Sequence, residues 1–152
     1  MSVNQAYKFK KIDNLVSTSG LLNENQLKLL KSEGYEAVIN LLPNENEYAI
    51  EKESSIVKEQ NLIYEYIPVD FSAPSEENYR EFEFKFRALS GKKIILHCAA
   101  NYRASAFYAI FAHTHLGWSE SEAREHINSI WPLKDYPIWD VFVSNMLSVR
   151  NG

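Results

Sequence analysis

Residues 92–111 read KKIILHCAANYRASAFYAIF. The first third is a short, β-branched apolar run, as in a strand covered on both faces, and the last third is apolar enough for a buried helix. Between them a tight loop carries the chain's single cysteine, Cys98. A helix N-terminus presents unpaired N–H groups and the positive end of the helix dipole, so a loop wrapped around it can cradle a tetrahedral oxyanion. Cys98 lies in that field with Arg103 nearby, an arrangement that favours a thiolate. Arg103 is itself a cation at the positive end of a helix, a poor position unless an anion joins it. A lone cysteine is more often an inert apolar filler. Here strand, loop, Arg103 and Ser105 together turn the reading toward a nucleophilic or anion-binding site.

Upstream, strand and helix patterns alternate. NENQLKLLKSEG (residues 23–34) has a polar start at Asn23, leucines at Leu27 and Leu30, and a stop at Gly34, the pattern of a helix. YEAVINLLP (35–43) is a near-continuous apolar run closed by Pro43, a strand buried on both faces. NEYAIEKESSIVKEQN (46–61) places Ile50, Ser54 and Val57 at helical spacing, and LIYEYIPV (62–69) is the next strand. SEENYREFEFKFRALSG (75–91) lines up Tyr79, Phe82, Phe86 and Leu89 on one helical stripe before the strand at Ile94. Beyond Ser105 the pattern is helical throughout, with a last helix from about Pro137 to Arg150. The fold class is therefore α/β: a central, mainly parallel sheet of about four to five strands flanked by helices, with a helical C-terminal third. In such sheets ligands bind beyond the carboxyl ends of the strands, where His97 and Cys98 lie.

The 152 residues, 45% hydrophobic, form one domain over 1–152 with a core over about 16–150, without repeat or linker. Sixteen basic against 20 acidic residues give a net charge of −4, so the chain has no long-range pull toward nucleic acid or an anionic membrane. No stretch reaches the roughly 20 apolar residues of a membrane span, and the first residues lack a signal peptide's apolar centre. These features point to a cytoplasmic protein, monomeric or dimeric. One thiol excludes an internal disulfide and any multi-thiolate metal site, and leaves a thiolate open to oxidation.

His97-Cys98, a short loop, an arginine and a serine resemble the signature of the cysteine-based protein tyrosine and dual-specificity phosphatase superfamily. HCAANYRASAF is similar, more narrowly, to a bacterial group of small phosphatase-like proteins, over roughly residues 16–150. The superfamily signature has five residues between cysteine and arginine. Here there are four, Ala99, Ala100, Asn101 and Tyr102, while Ser105 keeps the spacing of the family's hydroxyl. Asn101 stands where a glycine is usual, and asparagine is among the few residues that tolerate positive φ. The resemblance implies a phosphatase-like fold with Cys98 as nucleophile and Arg103 as phosphate clamp. Loop amides from Ala99 to Ala104 would hold a phosphate or sulfate-like anion. Ser105 would donate a hydrogen bond to the thiolate, and His97 would support the loop from behind. The family's acid is an aspartate upstream, for which Asp70 in YIPVDFSAPSEEN is the best candidate. No metal or cofactor is required.

Two other functions stay open. A shortened loop suits a phosphate- or phosphomotif-binding module without turnover, and six residues from cysteine to arginine is also the loop length of rhodanese-like sulfurtransferases. Asp70 could instead be a turn or cap residue, with Ser72 or Ser75 capping the next helix and Glu76 and Glu77 as backup acids in its first turn. His113 and His115, two apart on a helix, face different ways and cannot pair on a metal. They, His126, Trp131 and Trp139 are structural or solvent-facing. Tyr102 can rim the pocket and meet substrate.

Overall fold

The computed structural model describes residues 2–148. A five-stranded sheet has the order β1-β2-β5-β3-β4. The strands are β1 (Lys10–Lys11), β2 (Val16–Ser19), β3 (Ala37–Asn40), β4 (Ile63–Tyr66) and β5 (Ile94–His97). Only β1 runs antiparallel, and β5 lies between β2 and β3, with His97 paired across to Ser19 and Asn40. The sequence predicts the parallel strands β3, β4 and β5, but neither β2, whose VSTS is mostly polar, nor β1, whose two residues are too short for any period to show.

Side-chain alternation along the strands divides the core. Val38 and Ile95 face α1 (Glu24–Lys28) and α2 (Glu53–Glu59), in a cluster with Leu27 and Val57. Ala37, Ile39, Ile94 and Leu96 face the other layer, α3 (Glu76–Ala88), α4 (Tyr102–His115), α5 (Glu120–Asn128) and α6 (Pro137–Ser148). Tyr79, Phe82, Phe86 and Leu89 are all buried, as the stripe in residues 75–91 predicts, while Phe84, off the stripe, is 76% exposed. No helix among the described residues is long and apolar enough to cross a membrane.

Two helices are shorter than their patterns. The first is α-helical only over Glu24–Lys28 before it relaxes into turns that end at Gly34, with φ +90°. The second begins only at Glu53, because the Asn46 side chain accepts the Tyr48 N–H at 2.8 Å and holds that stretch in an Asx turn. The last helix follows its pattern to Ser148, and the part predicted beyond it lies outside the described residues.

The same alternation sends His97 and Cys98 to opposite faces. Cys98 joins the layer under α4, and His97 points to α2, where its Nε2 meets Glu53 Oε2 at 2.6 Å with both side chains buried. His97 Nδ1 lies 3.2 Å from the Cys98 carbonyl oxygen. Both ring nitrogens thus face oxygen atoms, an arrangement that favours the charged ring. Burial pushes its pKa down, but the charge and hydrogen bond of Glu53 outweigh burial and the net shift is upward. A raised histidine pKa adds stability that is fully present below the unfolded value of 6.5 and is lost as pH rises through the folded one. Breaking one side of a buried pair costs about 3 kcal/mol. Glu53→Gln is therefore expected to lower Tm by roughly 6–12 °C and to remove this component of the pH dependence, as read by thermal unfolding from acid to neutral pH.

Candidate functional site

The loop from β5 to α4 turns on Asn101, whose φ of 64° and ψ of 13° are left-handed. The backbone conformation expected of the glycine position is therefore present. The Asn101 side chain is also a tether: Nδ2 donates to the Lys8 carbonyl at 2.9 Å and to Thr18 Oγ1 at 3.0 Å. On the other side the loop rests against Gly20, where an added Cβ would stand 2.6 Å from the Ala99 carbonyl oxygen and 2.9 Å from the Tyr7 ring. N-terminal segment, β2 and loop form one packed unit.

Cys98 is fully buried at the base of this loop. Among the described residues the Ala99 N–H has no acceptor, the loop pairs with Gly20 through an antiparallel bridge at Ala100, and the first N–H groups of α4 follow directly, as at any helix start. This is a set of unpaired donors around the cysteine, suited to an anion.

Arg103 is 6% exposed. Its Nη1 donates to the Val69 carbonyl at 2.9 Å, its guanidinium carbon stands 5.5 Å from the centre of the Phe71 ring, and its Nε is buried without a partner. An unpaired guanidinium N–H is costly in a protein interior, and one edge of the fork remains free for an oxyanion.

Asp70 lines the same cleft as Arg103, a space of about 640 Å³ that also touches Glu45, Phe71 and Ser72. Its Oδ1 accepts from the Ser72 N–H at 2.9 Å and the Ser72 hydroxyl at 2.8 Å. These bonds, with a smaller contribution from Arg103, hold the carboxyl below its ordinary value. Ser75, not Ser72, caps α3 by accepting from the Asn78 N–H at 3.1 Å, and Glu76 and Glu77 occupy that helix's first turn. Asp70 is thus a turn residue that also shares its cleft with Arg103.

The expectation for Ser105 is corrected. Its hydroxyl donates to the Tyr102 carbonyl at 3.1 Å and accepts from Trp131 Nε1 at 3.0 Å, so its one proton is not directed at Cys98. In the first turn of α4 the local carbonyl is the nearer acceptor. Tyr102 is half-buried and lies flat on Trp131, with ring centroids 4.4 Å apart and planes 7° from parallel. It packs beneath the loop and lines neither of the clefts beside it.

The second cleft borders Ala99 and Ala100, also about 640 Å³, and is walled by Tyr7 and Tyr48 with Gln5, Asn23 and Gln26. None of these side chains is charged, whereas the Asp70 cleft holds Glu45, Asp70 and Arg103. The remaining histidines are structural: His113 bridges the Trp118 and Leu147 carbonyls, and His115 pairs with Glu83. Burial, with the nearby Lys10, pushes His126 down to about 4. Among the described residues no group of three His, Cys, Asp or Glu could hold a metal ion.

Sequence reasoning locates Cys98, Asn101 and Arg103 because they are contiguous. It misses Glu53, Lys8 and Thr18, whose roles exist only once distant segments meet. A charged helix start and a threonine in a strand carry no signal of their own.

Neither a family model nor a curated protein sequence matches the chain. Solved structures do. A DUF442 candidate phosphatase from Shewanella putrefaciens CN-32 is 32% identical, with 93% of this chain and 90% of that one covered and a TM-score of 0.84. P. aeruginosa TpbA in complex with pTyr is 14% identical over 95% of this chain and 91% of its own, with TM-score 0.72. The core catalytic domain of the S. cerevisiae PP-IP phosphatase SIW14, in complex with citrate, is 11% identical over 91% and 85%, with TM-score 0.74. The two distant structures share the fold alone. Identity and coverage with the first, joined to the strand-loop-helix around Cys98, place the family: the chain belongs to the DUF442 group of phosphatase-like proteins.

Proposed function

We propose that the protein hydrolyses phosphomonoesters of the tyrosine or dual-specificity type through a cysteinyl-phosphate on Cys98. The observation that carries this reading is the cysteine at the base of a loop that runs into the open N–H groups of the α4 N-terminus, beside a buried arginine whose Nε has no partner. The Cys98 thiolate attacks phosphorus and displaces the ester oxygen. Loop amides and the free edge of Arg103 hold the equatorial oxygens, whose charge is the largest electrostatic demand of the step. Asp70 gives its proton to the departing oxygen. A water deprotonated by Asp70 then attacks phosphorus, releases phosphate and restores the thiolate, so atoms and protons balance with no metal.

The uncharged cleft at Ala99 and Ala100 supports a singly phosphorylated substrate, since no cation there would receive a second phosphate. A chain this small with a lone thiol suits a reducing, cytoplasmic setting.

One observation favours a second reading, a phosphate-binding module without turnover. Asp70 is held below its ordinary pKa, which opposes a proton on it at neutral pH. Activity and calorimetry separate the two. Hydrolysis of an aryl phosphate that falls at least about 10³-fold in Cys98→Ser, and 10²- to 10⁴-fold in Asp70→Asn, supports the enzyme. Tight binding of vanadate with no turnover in the wild type supports the module, and turnover of thiosulfate instead would make it a sulfurtransferase.

The depressed carboxyl sets the pH profile. A general acid works only while protonated, so a lowered pKa moves the alkaline limb of the rate toward acid. Ser72 is the largest cause of the lowering. Ser72→Ala is therefore expected to shift the alkaline limb of kcat to higher pH, measured over about pH 4 to 8, and an unmoved limb would remove Asp70 from the acid role.

A further inference from the structure

Asp70 is exposed and sits in the connector between β4 and α3, a segment of the kind that moves freely unless tied down. Two ties flank it. On one side Val69 donates its N–H to the Leu41 carbonyl at 3.0 Å and accepts Arg103 Nη1 at its own carbonyl. On the other, the Phe71 carbonyl accepts the indole N–H of Trp139 at 2.7 Å, and the Phe71 ring stacks on Trp139 with centroids 5.5 Å apart and planes 28° from parallel. Trp139 comes from α6, distant in sequence, and is 1% exposed.

A second tryptophan of the helical third reaches the other half of the site. The Trp131 indole N–H donates to Ser105 Oγ, and its ring carries Tyr102, so it holds the first turn of α4 and with it Arg103. The two indoles thus address different parts, one the acid's connector and one the phosphate loop. Burial alone would be served by phenylalanine at either place. What phenylalanine lacks is the N–H.

We propose that Trp139 is a positioning residue for general-acid catalysis: its indole N–H fixes the Phe71–Ser72 peptide, whose own N–H bonds the Asp70 carboxyl, and so sets where that carboxyl meets the departing oxygen. The proposal rests on Asp70 being the acid. Misplacing a catalytic group by about 1 Å costs up to 10²-fold, but only where that group is needed. A good leaving group departs without a proton, whereas a poor one requires it.

The test compares phenyl phosphate, a poor leaving group, with 2,4-dinitrophenyl phosphate, a good one, in the wild type, Trp139→Phe, Trp131→Phe and Asp70→Asn. Trp139→Phe is expected to lose at least about tenfold more kcat on phenyl phosphate than on the dinitrophenyl ester, and Asp70→Asn to show the same bias more strongly. Trp131→Phe is expected to lose alike on both, because phosphate binding serves both esters. If Trp139→Phe folds poorly, replacing the Trp139 indole with an isosteric benzothiophene keeps the shape and removes only the N–H, and the same bias is expected. Equal losses in the Trp139 variants alongside a biased Asp70→Asn would overturn the positioning role alone. An unbiased Asp70→Asn would overturn the acid assignment and the positioning role with it.

Discussion

The site depends on one backbone constraint, the left-handed conformation of Asn101. It turns the chain out of β5 and into α4 within four residues of Cys98, and it brings the open N–H groups at the start of α4 beside the cysteine. A non-glycine residue at positive φ costs on the order of 1 kcal/mol. The Asn101 side chain offsets this with bonds to Lys8 and Thr18, each of the order of 1 kcal/mol. A glycine would relieve the backbone and lose both tethers. Asparagine therefore ties the loop to the N-terminal segment and β2, and Gly20 lets those segments approach closely enough for the bonds to form.

From that turn the rest of the arrangement follows by register. Pairing of β5 with β2 and β3 fixes which face each side chain takes, so His97 goes to Glu53 and Cys98 to α4. The buried pair steadies the Cys98 carbonyl from one side while α4 packs over the thiol from the other. Arg103 then spans from the loop to Val69, and the connector that carries Asp70 is held between Arg103 and the indole of Trp139. Three segments remote in sequence converge at the carboxyl ends of the parallel strands, the position general to such sheets.

Much of this was legible in the sequence, for reasons that differ by element. The buried strands at Ala37 and Ile94 announce themselves because both faces are covered and the runs are unbroken. Cys98, Asn101 and Arg103 are local, so spacing alone brings them together. Asp70 could be named because the resembled family carries its acid on a loop upstream of the signature, and Asp70 is the aspartate between β4 and α3. Glu53 and the two indole donors were not legible as parts of a site, since a buried glutamate or a bonded tryptophan is made by its partner. Ser105 shows the converse: right spacing, but a hydroxyl proton drawn to the nearest carbonyl. The second helix failed for a similar local reason, the Asn46 side chain competing for the backbone.

The central claim is that Cys98 is a nucleophile rather than a buried thiol beneath an anion site. Its most direct test is rapid acid quenching during turnover of a phosphate-labelled aryl phosphate, followed by peptide mapping of the label. The account predicts label on Cys98, accumulating further in Asp70→Asn because the second step also needs that carboxylate. Turnover of the aryl ester with no label on Cys98 would contradict it.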